Sequence, residues 1–300
     1  MNNSKPFPVP LWIILLIGII AISFSSIFIR WSDAPVSVMA MYRLYFTNLF
    51  MMPFVMKYWN EIKTLSKHDW FYLSLSGLLL GLHFLLWMGS LRFTSVANST
   101  AIVALEPIFV LIGSFLFFKI RTNIVSVVGM FIAVLGAALI GWGDFRVSSE
   151  AFFGDLLALL GAIAVALHML IGKQLLRKMS NYVYSFIVFL AAAFSLHIYN
   201  LILGYSLFNY ASIDWGIFIL LAIVPTVFGH LLFNWLLKYM NATTVSMSIL
   251  GEPLGAALLA YFLLNEHISI QQAFAGLILL FGVWLFIKFN VKDQSKILNQ

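Results

Sequence analysis

The sequence has no cysteine, which excludes disulfides, thiolate nucleophiles and cysteine metal sites while leaving the compartment open. Charge is almost as scarce. Asp, Glu, Lys and Arg make up 9% of the chain, against roughly 25% in a soluble domain. The lysines and arginines, Arg43 apart, fall in short segments between apolar runs, and no basic cluster is dense enough to track a phosphate backbone, so nucleic acid is not an expected partner. Enzyme signatures are missing too. There is no His-Glu-x-x-His metal motif, no phosphate-cradling glycine loop and no Gly-x-Ser-x-Gly nucleophile turn. The histidines are scattered, none with a carboxylate at ligand spacing, and no cofactor or metal is expected.

Apolar residues are abundant, at 62% of the chain. They fall into ten runs long enough to cross a bilayer as helices, approximately 11–30, 36–57, 70–91, 96–118, 123–142, 154–176, 182–204, 214–237, 243–264 and 270–290. The first resembles a secretory signal, with Lys5 ahead of it and Ser23, Ser25 and Ser26 as cleavage mimics. The internal repeat below needs it as a span. Connections are short, so neighbouring helices should pack antiparallel. The longest polar linker, 143–150, lies at mid-chain.

Basic residues divide unevenly between the two faces. Lys5, Lys57, Lys63, Lys67, Lys119, Arg121, Lys173, Arg177, Lys178, Lys238, Lys288, Lys292 and Lys296 share one side, and Arg30, Arg92 and Arg146 the other. The imbalance predicts a multi-pass protein of the cytoplasmic membrane with both termini cytoplasmic. Arg43 alone lies inside a span.

Two spans carry the same costly dipeptide at the same depth: Glu106-Pro107 in the fourth and Glu252-Pro253 in the ninth. A central carboxylate costs about 2.5–3.5 kcal/mol on insertion scales. Proline removes a backbone donor and discourages helical geometry in the residue before it. Superposing these dipeptides aligns the chain's halves at an offset of 146 and sets Asn98, Ile102 and Glu106 on Thr244, Ser248 and Glu252. Steps of four place each trio on one helix face. An offset of 147 sets His83 and Trp87 on His230 and Asn234, and one of 143 sets Gly18, Ser25 and Arg30 on Gly161, His168 and Lys173. The expected organisation is therefore two units, 1–148 and 149–300. Each has five spans, and an odd number inserts the second copy upside down. Inverted repeats with a site near the midplane are a transporter architecture.

These features resemble the EamA family of the drug/metabolite transporter superfamily. The resemblance rests on the two five-span halves, on Glu-Pro in spans four and nine, and on Leu250-Gly-Glu252-Pro253 through Phe262-Leu-Leu-Asn-Glu266 to Gly276. It covers essentially the full length. It departs at Lys119, where such proteins commonly end the fourth span with glutamate, and Glu266 is read as a loop residue. The resemblance implies an all-α, ten-helix secondary transporter, often an exporter of amino acids or related metabolites, working without ATP.

The candidate residues for substrate binding or proton coupling are Glu252, Glu106, Arg43, His83, Trp87, His230, Asn234, Ser248, Thr244 and Asn98. Pro107, Pro253, Gly251 and Gly255 are candidate hinge residues. Each has a plainer reading: a hydrogen-bonded structural glutamate, an arginine reaching the interface, packed histidines and tryptophan. His168 and His197 are read as structural. Expected partners are a small polar substrate, the lipid bilayer and protons, with the chain a monomer or a homodimer. From another class, an intramembrane enzyme would use the paired glutamates on a lipid-linked substrate; a passive channel is a third reading.

Overall fold

The computed structural model describes residues 10–142, 149–265 and 268–298; among them there is no strand. Lys5, Arg146 and Glu266, which enter the charge and family arguments, lie outside the described residues, as does the end of the first predicted unit. Each predicted span is helical. Single helices form α1 (Leu11–Arg30), α2 (Val36–Val55), α4 (Lys67–Ser90), α7 (Ile124–Trp142), α8 (Ser149–Leu175), α9 (Asn181–Ile202) and α14 (Ile270–Leu298), with a short α3 (Trp59–Lys63) before α4. Three spans are composite. The fourth is α5 (Val96–Val103) and α6 (Glu106–Phe118), and the ninth is α12 (Ala242–Ile249) and α13 (Glu252–Leu263). The eighth is α10 (Ser212–Leu221), a π segment (Ala222–His230) and α11 (Leu231–Tyr239). Lys67, Ser149 and Leu298 extend their helices past the apolar runs, because hydropathy marks where lipid lies rather than where hydrogen bonding stops. Among the described residues, eight helical stretches are long and apolar enough to span, and the apolar stretch Ile124–Leu139 is shorter. The remaining span, α2, has 20 residues, about 30 Å at the helical rise. Its polar Arg43, Thr47 and Asn48 are all buried, so protein rather than lipid meets them.

Side-chain caps start several spans. The hydroxyls of Ser66, Ser95 and Ser180 and the amide oxygen of Asn241 accept from the backbone N–H three residues on. Such caps contribute about 1 kcal/mol each.

The packing follows a two-fold axis. α4 against α8 is matched by the π segment against α1; α4 against α9 by α10 and the π segment against α2; and α5 and α6 against α8 by α13 against α1. The fourth and ninth spans cross antiparallel, α6 on α12 and α5 on α13. α7 and α14 also run antiparallel and closely. Cβ atoms added at Gly129, Gly136 and Gly282 would strike the backbone at Phe286, Leu279 and Ala133 respectively. Small residues permit that approach. The protein is thus an all-α integral membrane protein of two five-helix repeats in inverted topology.

The predicted faces also assemble. At one end Arg30 donates to the Thr94 carbonyl, Arg92 to those of Ser32 and Ala34, and Ser32 to Asp214. At the other, Lys178 pairs with Asp69 at 3.6 Å and Lys173 donates to the Leu237 and Met240 carbonyls. Impermeant thiol labelling on intact cells reports which end faces out, since any introduced cysteine is unique. Asn209→Cys should label and Lys63→Cys should not; the opposite pattern reverses the orientation.

Candidate functional site

The two Glu-Pro segments meet where the fourth and ninth spans cross. In each, two residues (Ala104-Leu105 and Leu250-Gly251) leave regular helix, and a new helix starts at the glutamate. The break is a tightening: Leu105 N–H bonds to Ile102 O at 3.0 Å and Gly251 N–H to Ser248 O at 3.2 Å. Leu105 and Gly251 keep helical dihedrals. The expectation that proline would push its preceding glutamate out of helical geometry is corrected, since Glu106 and Glu252 are the first residues of α6 and α13. Pro107 and Pro253 then stand at the helix start, where a missing N–H costs no intrahelical bond.

The crossing opens on a central cavity whose lining repeats by symmetry. Ser25 and His168, His83 and His230, Trp87 and Asn234, and Glu106 and Glu252 all face it, with apolar pairs Ile22/Val165 and Val103/Ile249. The cavity holds about 40 Å³; one water needs about 10–15 Å³ on this measure, so a few waters fit and an organic metabolite does not. In this form the site is too small for such a solute.

His83 stacks on Trp87 at 5.9 Å between ring centroids and meets His230 edge-on at 6.4 Å. Its Nδ1 lies 3.0 Å from the Gly161 carbonyl. Asn234 donates to Ser185 at 3.2 Å. Among the described residues, eight buried side-chain polar atoms have no hydrogen-bond partner, and three of them, Glu106 Oε1, Trp87 Nε1 and Arg43 Nη2, lie in or behind this cavity. Buried polar atoms are rarely left so. Three such atoms in and behind one cavity fit a place meant for water or solute.

Arg43 does not reach an interface. It is fully buried, donating Nε to Thr226 Oγ1 at 2.5 Å and Nη1 to Ser25 Oγ at 3.1 Å, with Cζ 4.2 Å from the centroid of the Phe84 ring. Among the described residues no carboxylate oxygen lies within 4.0 Å of it. Ser25 stands between the guanidinium and the cavity. The π segment brings Thr226 to this position. A wider turn accommodates Pro225, and Thr226 Oγ1 bonds back to the Leu221 carbonyl at 2.7 Å.

Asn98, Thr244 and Ser248 lie outside the cavity lining. The backbone N–H of Asn98 binds the Ser95 cap, and its amide donates to Asp155 at 2.6 Å. Thr244 binds the Asn241 cap through N–H and hydroxyl, and Ser248 donates to the Thr244 carbonyl. Four-residue steps place residues on one face of an unbroken helix; here the break intervenes before each glutamate. His168, read as structural from sequence, belongs to the lining. Its Nδ1 lies 2.8 Å from Ser76 Oγ, which in turn lies 2.9 Å from Tyr184 OH. The 143 offset, pairing His168 with Ser25, was the signal for it.

Gly251 and Gly255 serve close approach. Cβ atoms there would strike Ile19 and Ser23 of α1, and neither glycine has positive φ.

Comparison with known proteins agrees with this architecture. The EamA-like transporter family matches residues 10–142 and again 152–288. The uncharacterized transporter sll1164 of Synechocystis sp. is 28% identical over 252 residues, 79% of this chain and 70% of the relative. An uncharacterized transporter of Archaeoglobus fulgidus is 26% identical over 259 residues, 82% and 86% of the two chains. A solved crystal structure shares the fold with a TM-score of 0.77 at 16% identity, covering 94% of this chain and 98% of that one. With the repeat matched twice, and with two Glu-Pro breaks meeting at a cavity between the copies, the chain belongs to the EamA-like transporter family.

Proposed function

We propose that this membrane transporter moves a small polar metabolite, an amino acid or a related compound, across the cytoplasmic membrane by alternating access. Export is the direction, and Glu252, with Glu106 as its symmetry mate, takes up and releases the proton that couples it. The symmetric lining carries this reading. A site whose two walls are copies of each other, inverted in the membrane, can be offered to either side with similar chemistry. Rocking or bending at the Glu-Pro breaks would open the cavity to one face and then the other. The carboxyl groups, the histidines and the Asn234 amide supply polar contacts, while Trp87 and Phe233 give an organic solute an apolar wall. The amino-acid class is what the family resemblance implies, and the transporter names of the relatives fit a non-enzymatic role.

Counterflow in reconstituted vesicles tests this reading. Vesicles preloaded with unlabelled substrate should accumulate labelled substrate transiently, saturably and unaltered. Chemical alteration of the solute would instead support the enzyme, and absence of counterflow across a panel of amino acids and related metabolites would support a channel or another substrate class.

A further inference from the structure

A second, larger space lies outside the central site. It is a groove of about 640 Å³ between α4, the end of α6 and the outer side of α8. Tyr72, Leu75 and Leu79 form one wall, Leu167 and Ile171 the other, and Phe117 closes it from α6. One end is polar, with His68, Gln174 and Lys178. Lys67, Lys119 and Arg177 adjoin these lining residues in the chain, and all three are exposed. Asp69, paired with Lys178, and Glu61, which accepts from the Ser180 N–H two residues beyond Lys178, bring carboxylates near this end as well. The groove is therefore apolar along its length, with Lys178 at its polar end and further basic residues next to the lining in the chain.

Fold symmetry does not require this space. At the 143 offset, Leu167, Ile171 and Gln174 correspond to Phe24, Phe28 and Trp31 of α1. Those three rings follow one another at 5.7 and 5.8 Å between centroids, and Phe28 is buried. Where one half carries three aromatic rings in a row along this helix face, the other carries two aliphatic side chains and Gln174 beside a gap. A gap between membrane-spanning helices is filled by hydrocarbon or not at all, because water gains nothing along apolar walls.

We infer that this groove is a binding site for an anionic phospholipid, with an acyl chain along Leu75, Leu79 and Ile171 and the headgroup phosphate at Lys178, Lys119 and Arg177. Basic residues at the end of an apolar slot select an anionic headgroup over a zwitterionic one. The site is separate from the transport cavity, and its occupant is a resident lipid.

The cysteine-free chain permits a direct test. Purified Ile171→Cys protein in detergent is treated with N-ethylmaleimide, with phosphatidylglycerol or phosphatidylcholine added at the same mole fraction. Phosphatidylglycerol should slow modification several-fold and phosphatidylcholine much less. Replacing Lys119, Arg177 and Lys178 together by glutamine should abolish that difference. Gln174→Cys at the mouth repeats the measurement should Ile171→Cys fold poorly. Equal protection by both lipids overturns the anionic headgroup, and protection by neither overturns the site. A filled version, Leu167→Phe with Ile171→Phe and Gln174→Trp, copies the other half. Native mass spectrometry should find phosphatidylglycerol on the wild type and not on the filled protein. Retention of that lipid by the filled protein also overturns the assignment.

Discussion

Glu252→Gln should abolish transport driven by a pH gradient while leaving exchange of substrate for substrate measurable. The expectation follows from position. Glu252 is the first residue of α13, its side chain lines the central cavity, and Pro253 follows it. What holds α13 in place lies elsewhere. Gly251 and Gly255 pack on α1, and the link to Ser23 uses the Glu252 backbone carbonyl. A carboxamide keeps the size and most of the hydrogen-bonding capacity of the carboxyl group, so the variant should insert, purify and melt like the wild type. What it loses is the ability to carry a proton. Net movement against a pH gradient needs that step in each cycle, whereas exchange can shuttle loaded protein back and forth without it. Uptake into vesicles with and without an imposed gradient, for wild type and variant side by side, separates the two. A variant that responds to the gradient as the wild type does removes Glu252 as the coupling residue and makes Glu106 the next to test. A variant that loses exchange as well would make Glu252 a substrate ligand.

The ten spans, the inverted repeat and most of the cavity were legible from hydropathy and from residues recurring at a fixed offset. Glu106 with Glu252, His83 with His230 and Trp87 with Asn234 are pairs in the sequence and pairs in the lining. Symmetry alone, however, does not say what a pair is for. Asn98 and Thr244 are also mates, and what they share is a place three residues after a cap, Ser95 in one half and Asn241 in the other. Those capping residues marked helix starts, and the four-residue steps to the glutamates ran across breaks that a continuous-helix reading ignored. The π segment was hidden differently. Pro225 inside an apolar run signalled some disturbance, but hydropathy cannot tell a kink from a widened turn, and only the widened turn accounts for Thr226 beside Arg43. Of the partners of Arg43, Ser25 comes from the neighbouring α1, whereas Thr226 was out of reach because it comes from the π segment in the other half of the chain. The drift in offset across the chain also obscured the fact that one axis relates all the pairs.

Gly255→Ala should destabilise the protein by about 1–3 kcal/mol, the usual range for overpacking a filled interface, and Ser23→Gly should rescue it. The two readings of Gly255, hinge and packing surface, predict different outcomes here. A hinge glycine is needed for backbone freedom. Removing that freedom would slow transport whatever stood opposite. Yet Gly255 lies in the interior of α13, and among the described residues Gly204 is the one glycine with positive φ. Its need is for space: an added Cβ would run into Ser23 Oγ and come within 2.9 Å of Ser23 Cβ. Ser23 is held by its bond to the Ile19 carbonyl at 2.8 Å, so it cannot simply turn aside. Removing the hydroxyl alone with Ser23→Ala leaves the Cβ contact, so partial rescue is expected from alanine and fuller rescue from glycine, which clears both atoms. Ser23→Gly has its own cost of about 0.5–1 kcal/mol in a helix interior, and it must be measured as a single variant to close the cycle. Thermal unfolding in detergent gives the stability term, and exchange in vesicles gives the functional one. Recovery of both in the double variant identifies the α1–α13 contact as the function of this glycine. Recovery of stability without recovery of exchange would return Gly255 to the role of a hinge, and with it the mechanism by which α13 opens the cavity.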